Sequence, residues 1–121
     1  MKKILVIEDE PILSKALGDN LAQEGFDVLR AMDGEEGLKI ALESHPDLIL
    51  LDILLPKMDG LTILDKIRED AWGKTVPIII LSNLSGPAYV AEAIENVNEY
   101  LVKVDWKIED IIKKIKERLK V

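Results

Sequence analysis

Residues 48–60 have the sequence LILLDILLPKMDG, in which an apolar run stops at Asp52 and passes into a turn-forming segment. The run Leu48–Leu51 carries no polar residue, so the strand that it predicts must be buried on both faces. Strands of this kind are typical of parallel sheets that are covered by helices on both sides. The stretch therefore predicts an α/β protein in which a carboxylate directly follows a buried strand.

The rest of the chain alternates between short apolar runs and helical patterns. The other strand-like runs are Ile4–Ile7, Val28–Ala31, Ile78–Leu81 and Tyr100–Val102. Apolar stripes with helical spacing follow at residues 12–21, 38–42, 61–67, 90–97 and 108–119. Five strand–helix repeats predict βαβ units with right-handed crossovers, which is a doubly wound (βα)5 arrangement around a mostly parallel sheet.

Length and composition limit the possible function classes. The chain has 121 residues, which fits one domain over residues 1–121. It contains no cysteine, which excludes disulfides and thiolate sites and favours a cytoplasmic location. A net charge of −7 argues against direct binding of nucleic acid or an anionic membrane, and no segment approaches the length of a membrane span.

Polar side chains directly follow four of the five predicted strands. They are Glu8, Asp9 and Glu10 after the first, Asp52 after the third, Ser82 and Asn83 after the fourth, and Lys103 after the fifth. In a doubly wound sheet, ligands bind at the carboxyl ends of the strands. We therefore expect these side chains to meet at one edge of the sheet.

The carboxylates in this group predict a cation site. An acidic residue after a strand is often only a solvated loop end or a helix cap, and we expect that role for Glu10, which suits the positive N-terminus of the first helix. Glu8, Asp9 and Asp52 together are different, because like charges about 4 Å apart repel by about 1 kcal/mol in water and about 4 kcal/mol near a protein surface. Oxygen ligands in a half-open site are typical of Mg²⁺.

A metal ion alone does not explain a lysine and a serine at the same edge. A phosphoryl group does, because the Asp52 carboxylate can act as a nucleophile and form an aspartyl-phosphate. Lys103 and the Ser82 hydroxyl would then each take a phosphoryl oxygen, and the segment 53–60 would supply backbone groups.

Three motifs carry a family resemblance. Residues 52–60, DILLPKMDG, match the pattern D-x-x-hydrophobic-P-x-M-D-G, residues 4–10, ILVIEDE, match an acidic-pair strand, and residues 100–103 read YLVK. In these motifs, and over all 121 residues, the chain resembles the receiver domain of bacterial two-component response regulators. The resemblance implies a flavodoxin-like, CheY-like fold with a five-stranded parallel sheet in the order 2-1-3-4-5.

The resemblance also implies roles for the site residues. Asp52 would be the phosphoacceptor, and Lys103 would pair with it and later with the phosphoryl oxygens. The Mg²⁺ ligands would be Asp9, Asp52, Glu8 through a water molecule and the Leu54 carbonyl. Ser82 and Tyr100 would form the switch, in which the aromatic ring turns inward when the hydroxyl moves.

Partners follow from the same resemblance. The donor would be a sensor histidine kinase or a phosphotransfer protein, and the target would be a downstream effector or an output domain that this sequence lacks. The readout face would combine Ala88–Glu95, the fifth strand and the Lys-rich helix from Lys107 to Lys120. The protein would be a monomer or a phosphorylation-dependent dimer, and it would catalyse only its own phosphorylation and dephosphorylation.

Three residues at or next to the predicted site depart from the family pattern. Glu8 replaces an aspartate, Asn83 replaces a small residue, and Val104 replaces the proline that follows the lysine. We expect Asn83 to shade the phosphoryl site. A trans Lys103–Val104 bond is favoured because a cis bond before a non-proline residue costs about 2.5–4 kcal/mol, whereas the need to aim Lys103 favours a cis bond.

Two other functions remain open at this point. A metal-dependent phosphohydrolase would use the same aspartyl-phosphate, but that class has a second aspartate two residues after the nucleophile, where this chain has Leu54. A pseudo-receiver would act only as a protein-binding module, although every expected catalytic residue type is present.

Overall fold

The computed structural model describes residues 1–83 and 97–121 and shows one five-stranded parallel sheet. The strands are β1 (Lys3–Ile7), β2 (Asp27–Ala31), β3 (Leu48–Leu51), β4 (Ile78–Ser82) and β5 (Glu99–Val102). The helices are α1 (Pro11–Gln23), α2 (Gly34–Ser44), α3 (Gly60–Glu69) and a C-terminal helix (Ile108–Leu119), which follows a short 3₁₀ turn (Lys103–Asp105). The part of the readout face predicted at Ala88–Glu95 lies outside the described residues.

The strand order is β2-β1-β3-β4-β5, and all four pairings are parallel. The predicted doubly wound fold is therefore confirmed. The register aligns Ile7 with Leu51, so the residues that follow these two strands, Glu8 and Asp52, come off the sheet at the same level. The Asp52 N–H also donates a hydrogen bond of 3.0 Å to the Ile7 carbonyl, which keeps the two strand ends together.

The core has one apolar layer on each face of the sheet, because neighbouring strand residues point to opposite faces. Leu5 and Ile49 belong to the layer that α2 and α3 cover, whereas Ile4 and Leu48 belong to the layer beneath α1 and the C-terminal helix. All four side chains are fully buried. Burial of both faces explains the unbroken apolar runs in the sequence.

Two aspartates fix the starting points of helices next to the strand ends. The Asp33 carboxylate accepts a hydrogen bond of 2.8 Å from the Glu36 N–H at α2, and Asp59 accepts one of 3.0 Å from the Thr62 N–H at α3. Each bond satisfies a backbone donor that the first turn of a helix leaves free. Within the described residues, no helix is both long enough and apolar enough to cross a membrane.

Candidate functional site

The loop from Asp52 to Gly60 is shaped by a close approach at its end. The Gly60 N–H donates a hydrogen bond of 2.7 Å to the Ile53 carbonyl. A Cβ atom at Gly60 would lie 2.5 Å from both the Asp52 carbonyl oxygen and the Ile53 Cα, which is too close for any side chain. Glycine therefore lets the loop fold back beneath Asp52 and leaves the Asp52 carboxylate at the end of β3.

The far side of this loop is held against the start of α2. The Gly34 N–H donates a hydrogen bond of 3.2 Å to the Pro56 carbonyl, and a Cβ atom at Gly34 would lie 1.8 Å from the Met58 carbonyl oxygen. Lys57 adopts a φ of 68°, a left-handed conformation that non-glycine residues rarely adopt, and its ammonium lies 3.6 Å from Asp33 Oδ2. The loop is thus fixed at its end by the Gly60–Ile53 hydrogen bond and in its middle by the contacts of Pro56, Lys57 and Met58 with the start of α2.

Three carboxylates meet at the end of the sheet. One oxygen atom from each of Glu8, Asp9 and Asp52 lies within 4.8 Å of the others. Glu8 is only 3% exposed and Asp52 only 5%, whereas Asp9 is half-buried. Asp52 Oδ1 accepts a hydrogen bond of 3.2 Å from the Leu54 N–H, which orients the carboxylate within the cluster.

Glu8 is the most poorly satisfied member of this cluster. Neither of its buried oxygens accepts a hydrogen bond from any residue that the structure describes, although Oε1 contacts the Lys103 ammonium. Burial, together with the neighbouring Asp52 carboxylate, raises the pKa of Glu8 to about 8, against the opposing effect of Lys103. A buried carboxylate with free acceptor sites beside two other carboxylates fits a bound divalent cation.

Lys103 reaches this cluster from the end of β5. Its Nζ lies 3.0 Å from Asp52 Oδ2 and 3.2 Å from Glu10 Oε1, and it also contacts Glu8 Oε1. Burial acts to lower the pKa of Lys103, but the contacts with Glu8 and Asp52 outweigh it, so that the pKa is raised above its usual value. Lys103 is therefore a permanent positive charge at the centre of the site.

Glu10 lies at the entrance to the first helix and is exposed, as expected, but its side chain does not cap the helix. Glu10 occupies the N-cap position of α1, but its carboxylate makes no capping hydrogen bond and instead accepts one from Lys103. The physical reason is that the full charge of an ammonium attracts a carboxylate more strongly than the partial charge at a helix end. Sequence reasoning missed this contact, although a third acidic residue directly after β1 was the available signal.

The Lys103–Val104 peptide bond is trans, as are all the other peptide bonds of the described ranges. Val104 lies in the 3₁₀ turn Lys103–Asp105 and is 80% exposed. The trans bond avoids the cost of a cis bond before a non-proline residue, and Lys103 still reaches Asp52.

An open cleft of about 190 Å³ brings the candidate residues together. It is lined by Asp9, Glu10, Asp52, Leu54, Ser82, Asn83 and Lys103. Ser82 is fully buried at the end of β4, whereas Asn83 is exposed at the rim. Tyr100 does not line the cleft: it is half-buried against the α2–α3 side of the core, and its pKa is raised by burial and by the charge of Asp52.

The chain is similar to known proteins over nearly all of its length. A family model described as the response regulator receiver domain matches residues 4–116. The DNA-binding dual master transcriptional regulator RpaA of Synechocystis is 32% identical over 121 residues, which cover 99% of this chain and 50% of that protein. The response regulator ArlR of Staphylococcus saprophyticus is 36% identical over 121 residues, which cover 99% of this chain and 53% of that protein.

Solved structures show the same similarity. A CheY-like response regulator receiver domain protein from Methanospirillum hungatei superposes with a TM-score of 0.92 and 26% sequence identity, over 99% of this chain and 94% of that one. The chain spans about half the length of the two curated relatives above.

Proposed function

Because this chain belongs to the response regulator receiver domain family, we propose that it accepts a phosphoryl group on Asp52 and passes on a conformational change. The observation that carries the proposal is the position of Lys103 Nζ, 3.0 Å from a nearly buried Asp52 carboxylate in a cleft that also holds the Ser82 hydroxyl. A nucleophile, a cation and a hydroxyl at one opening are the groups that phosphoryl transfer to an aspartate requires. In this proposal, residues 1–121 act as a single receiver domain.

The transfer step uses the groups that line the cleft. An Asp52 carboxylate oxygen forms the new bond to phosphorus while the bond from phosphorus to the donor atom breaks, and the bonding electron pair leaves with the donor. The Lys103 ammonium and the Ser82 hydroxyl donate hydrogen bonds to phosphoryl oxygens, whose negative charge would otherwise be repelled by the carboxylates.

The acidic cluster fits a divalent cation, and we propose Mg²⁺. Glu8, Asp9 and Asp52 would hold it, with the Leu54 carbonyl as a further ligand and Glu8 acting through a water molecule. When bound, the ion neutralises negative charge on the carboxylates and on the phosphoryl oxygens. The hydrogen-bond acceptor sites left free on buried Glu8 support this assignment.

The switch is proposed at the ends of β4 and β5. Ser82 and Tyr100 lie on these neighbouring strands, and burial, with a smaller contribution from the Asp52 charge, raises the pKa of the Tyr100 hydroxyl. A phosphoryl group adds a charge of about −1.5 to −2 at this point, which favours an arrangement with more hydrogen-bond donors around it. β5 and the C-terminal helix would carry the change to a partner, together with the fourth helix predicted at 88–95.

Exposed apolar side chains that line the cleft or lie close in sequence to its lining residues favour a protein as the phosphoryl donor. Ile12 is 86% exposed in the first turn of α1, Leu54 is 58% exposed at the cleft, and Val104 is 80% exposed next to Lys103. A sensor histidine kinase or a phosphotransfer protein could cover these side chains while it presents its phosphoryl group. We further propose a downstream effector protein or an output domain as the target, a monomer or phosphorylation-dependent dimer as the assembly, and the cytoplasm as the location.

The alternative functions have less support. A phosphohydrolase of the aspartyl-phosphate class would need a second acid where this chain has the largely exposed Leu54 side chain. A pseudo-receiver would not require a largely buried lysine side chain paired with the acceptor carboxylate. We therefore propose that the chain catalyses no reaction beyond its own phosphorylation and dephosphorylation.

The test is incubation with Mg²⁺ and acetyl phosphate, followed by intact mass spectrometry. We expect the mass to rise by one phosphoryl group, and we expect Asp52→Asn to abolish the adduct. Asp59→Asn is the matched control, because it makes the same change in the same loop while asparagine can still cap α3. Absence of both an adduct and beryllofluoride binding in the unaltered protein would refute the proposed function, as would an adduct that persists in Asp52→Asn.

A further inference from the structure

The Lys103 ammonium lies among three carboxylates, and it donates hydrogen bonds to two of them, Asp52 and Glu10. The three contacts are with Asp52 Oδ2 at 3.0 Å, Glu10 Oε1 at 3.2 Å and Glu8 Oε1. An ammonium group has three N–H donors and no acceptor. Because two of these donors are engaged by Asp52 and Glu10 and Glu8 also contacts the ammonium, a phosphoryl oxygen on Asp52 must compete with carboxylates for Lys103.

The three carboxylates differ in what they do once the site is loaded. Asp52 receives the phosphoryl group, and Glu8 belongs to the cluster that can hold a cation. Glu10 is outside that cluster, and its side chain is 56% exposed at the rim of the cleft. Glu10 is thus the contact of Lys103 that neither the cation nor the phosphoryl group takes over.

We propose that Glu10 is a positioning residue that competes with the phosphoryl group for Lys103 and so weakens the loaded state of Asp52. This inference rests on the proposed function. The competition arises because the Glu10 carboxylate holds the ammonium toward the solvent side of the cleft, and because its charge repels the incoming phosphoryl oxygens.

The size of the effect follows from the exposure of Glu10. Ion pairs with an exposed partner change equilibria by factors of about two to five, and added salt reduces them. Removing the Glu10 charge should therefore increase the affinity for a phosphoryl mimic about two- to fivefold at low salt, and by less at high salt.

The experiment measures beryllofluoride affinity by titration calorimetry in saturating Mg²⁺, for the unaltered chain and for Glu10→Gln. The matched control is Asp19→Asn, which removes the same charge from α1 itself, at a side chain of similar exposure, 58%, that is paired with Lys15. The two positions are nine residue steps apart, which corresponds to about 14 Å along the helix axis. This separation exceeds the screening length of about 8 Å at physiological salt, so the two variants are compared at that ionic strength and the salt series is run on Glu10→Gln.

We expect Glu10→Gln to bind the mimic more tightly, Asp19→Asn to leave the affinity unchanged, and the gain to shrink as salt is added. A separate Mg²⁺ titration should show no tighter metal binding in Glu10→Gln, so that the gain reports on Lys103. Unchanged or weaker mimic binding in Glu10→Gln, an equal gain in Asp19→Asn or a gain that does not depend on salt would overturn the inference. If the unaltered chain binds no beryllofluoride, the proposed function fails instead.

Discussion

Replacing Glu8 by glutamine should stabilise the metal-free protein at pH 8. The Glu8 side chain is 3% exposed, its oxygens accept no hydrogen bond from the described residues, and it lies beside the Asp52 carboxylate. In the unfolded chain the same carboxylate is fully hydrated. Folding therefore places a charge where it is disfavoured, and the neutral amide of glutamine avoids that cost.

The magnitude follows from the pKa of Glu8, which folding raises from 4.5 to about 8. Each pKa unit corresponds to about 1.4 kcal/mol, so the charge lowers the free energy of unfolding by at most about 5 kcal/mol at high pH. The buried amide of glutamine has its own desolvation cost of about 1–3 kcal/mol. We expect a net gain of about 2 kcal/mol for Glu8→Gln at pH 8.

The gain should depend on pH in a defined direction. Because the folded protein holds a proton on Glu8 that the unfolded chain has released, the stability of the unaltered protein falls as pH rises from 4.5 to about 8. The glutamine variant has no such group at position 8. The extra free energy of unfolding of Glu8→Gln over the unaltered protein should therefore be larger at pH 8 and should be lost at about pH 5.

Urea denaturation in EDTA at both pH values measures this difference, and repeating it with Mg²⁺ adds a second comparison. A ligand at a hundred times its Kd stabilises a folded protein by about 2.7 kcal/mol, and Glu8→Gln should lose most of this stabilisation. Glu10→Gln is the matched control, because the same chemical change at a side chain that is 56% exposed should leave the stability nearly unchanged. A Glu8→Gln protein that is less stable than the unaltered one at pH 8 in EDTA would refute the reasoning.

Three further substitutions test the loop, the cation and the rim of the cleft. Gly60→Ala places a Cβ atom 2.5 Å from the Asp52 carbonyl oxygen, and it should lower the free energy of unfolding in urea by about 1–3 kcal/mol and slow labelling by acetyl phosphate. Lys103→Met removes the cation that competes for Glu8 and Asp52, so calorimetry should show tighter Mg²⁺ binding but weaker beryllofluoride binding. Asn83→Ala opens the rim of the cleft, and both labelling by acetyl phosphate and loss of the label, followed by intact mass, should become faster.

The sequence alone was sufficient for the fold and for the family resemblance. Unbroken runs such as Leu48–Leu51 predict strands with both faces buried, because the burial pattern depends on residues near one another in the chain. The loop that ends at Gly60 was recognisable for the same reason, since its shape depends on a glycine at a fixed distance from Asp52.

What only the tertiary structure decided concerns groups far apart in the chain. Lys103 and Glu10 are separated by 93 residues, and the contact that turns Glu10 away from capping α1 arises only when the ends of β1 and β5 meet. The raised pKa of Glu8 likewise depends on its burial beside Asp52, which no local pattern encodes. Local sequence therefore determined which residues could form a site, whereas folding decided their charges and their partners. The reason is that electrostatic interactions depend on distance and burial in space, not on separation along the chain.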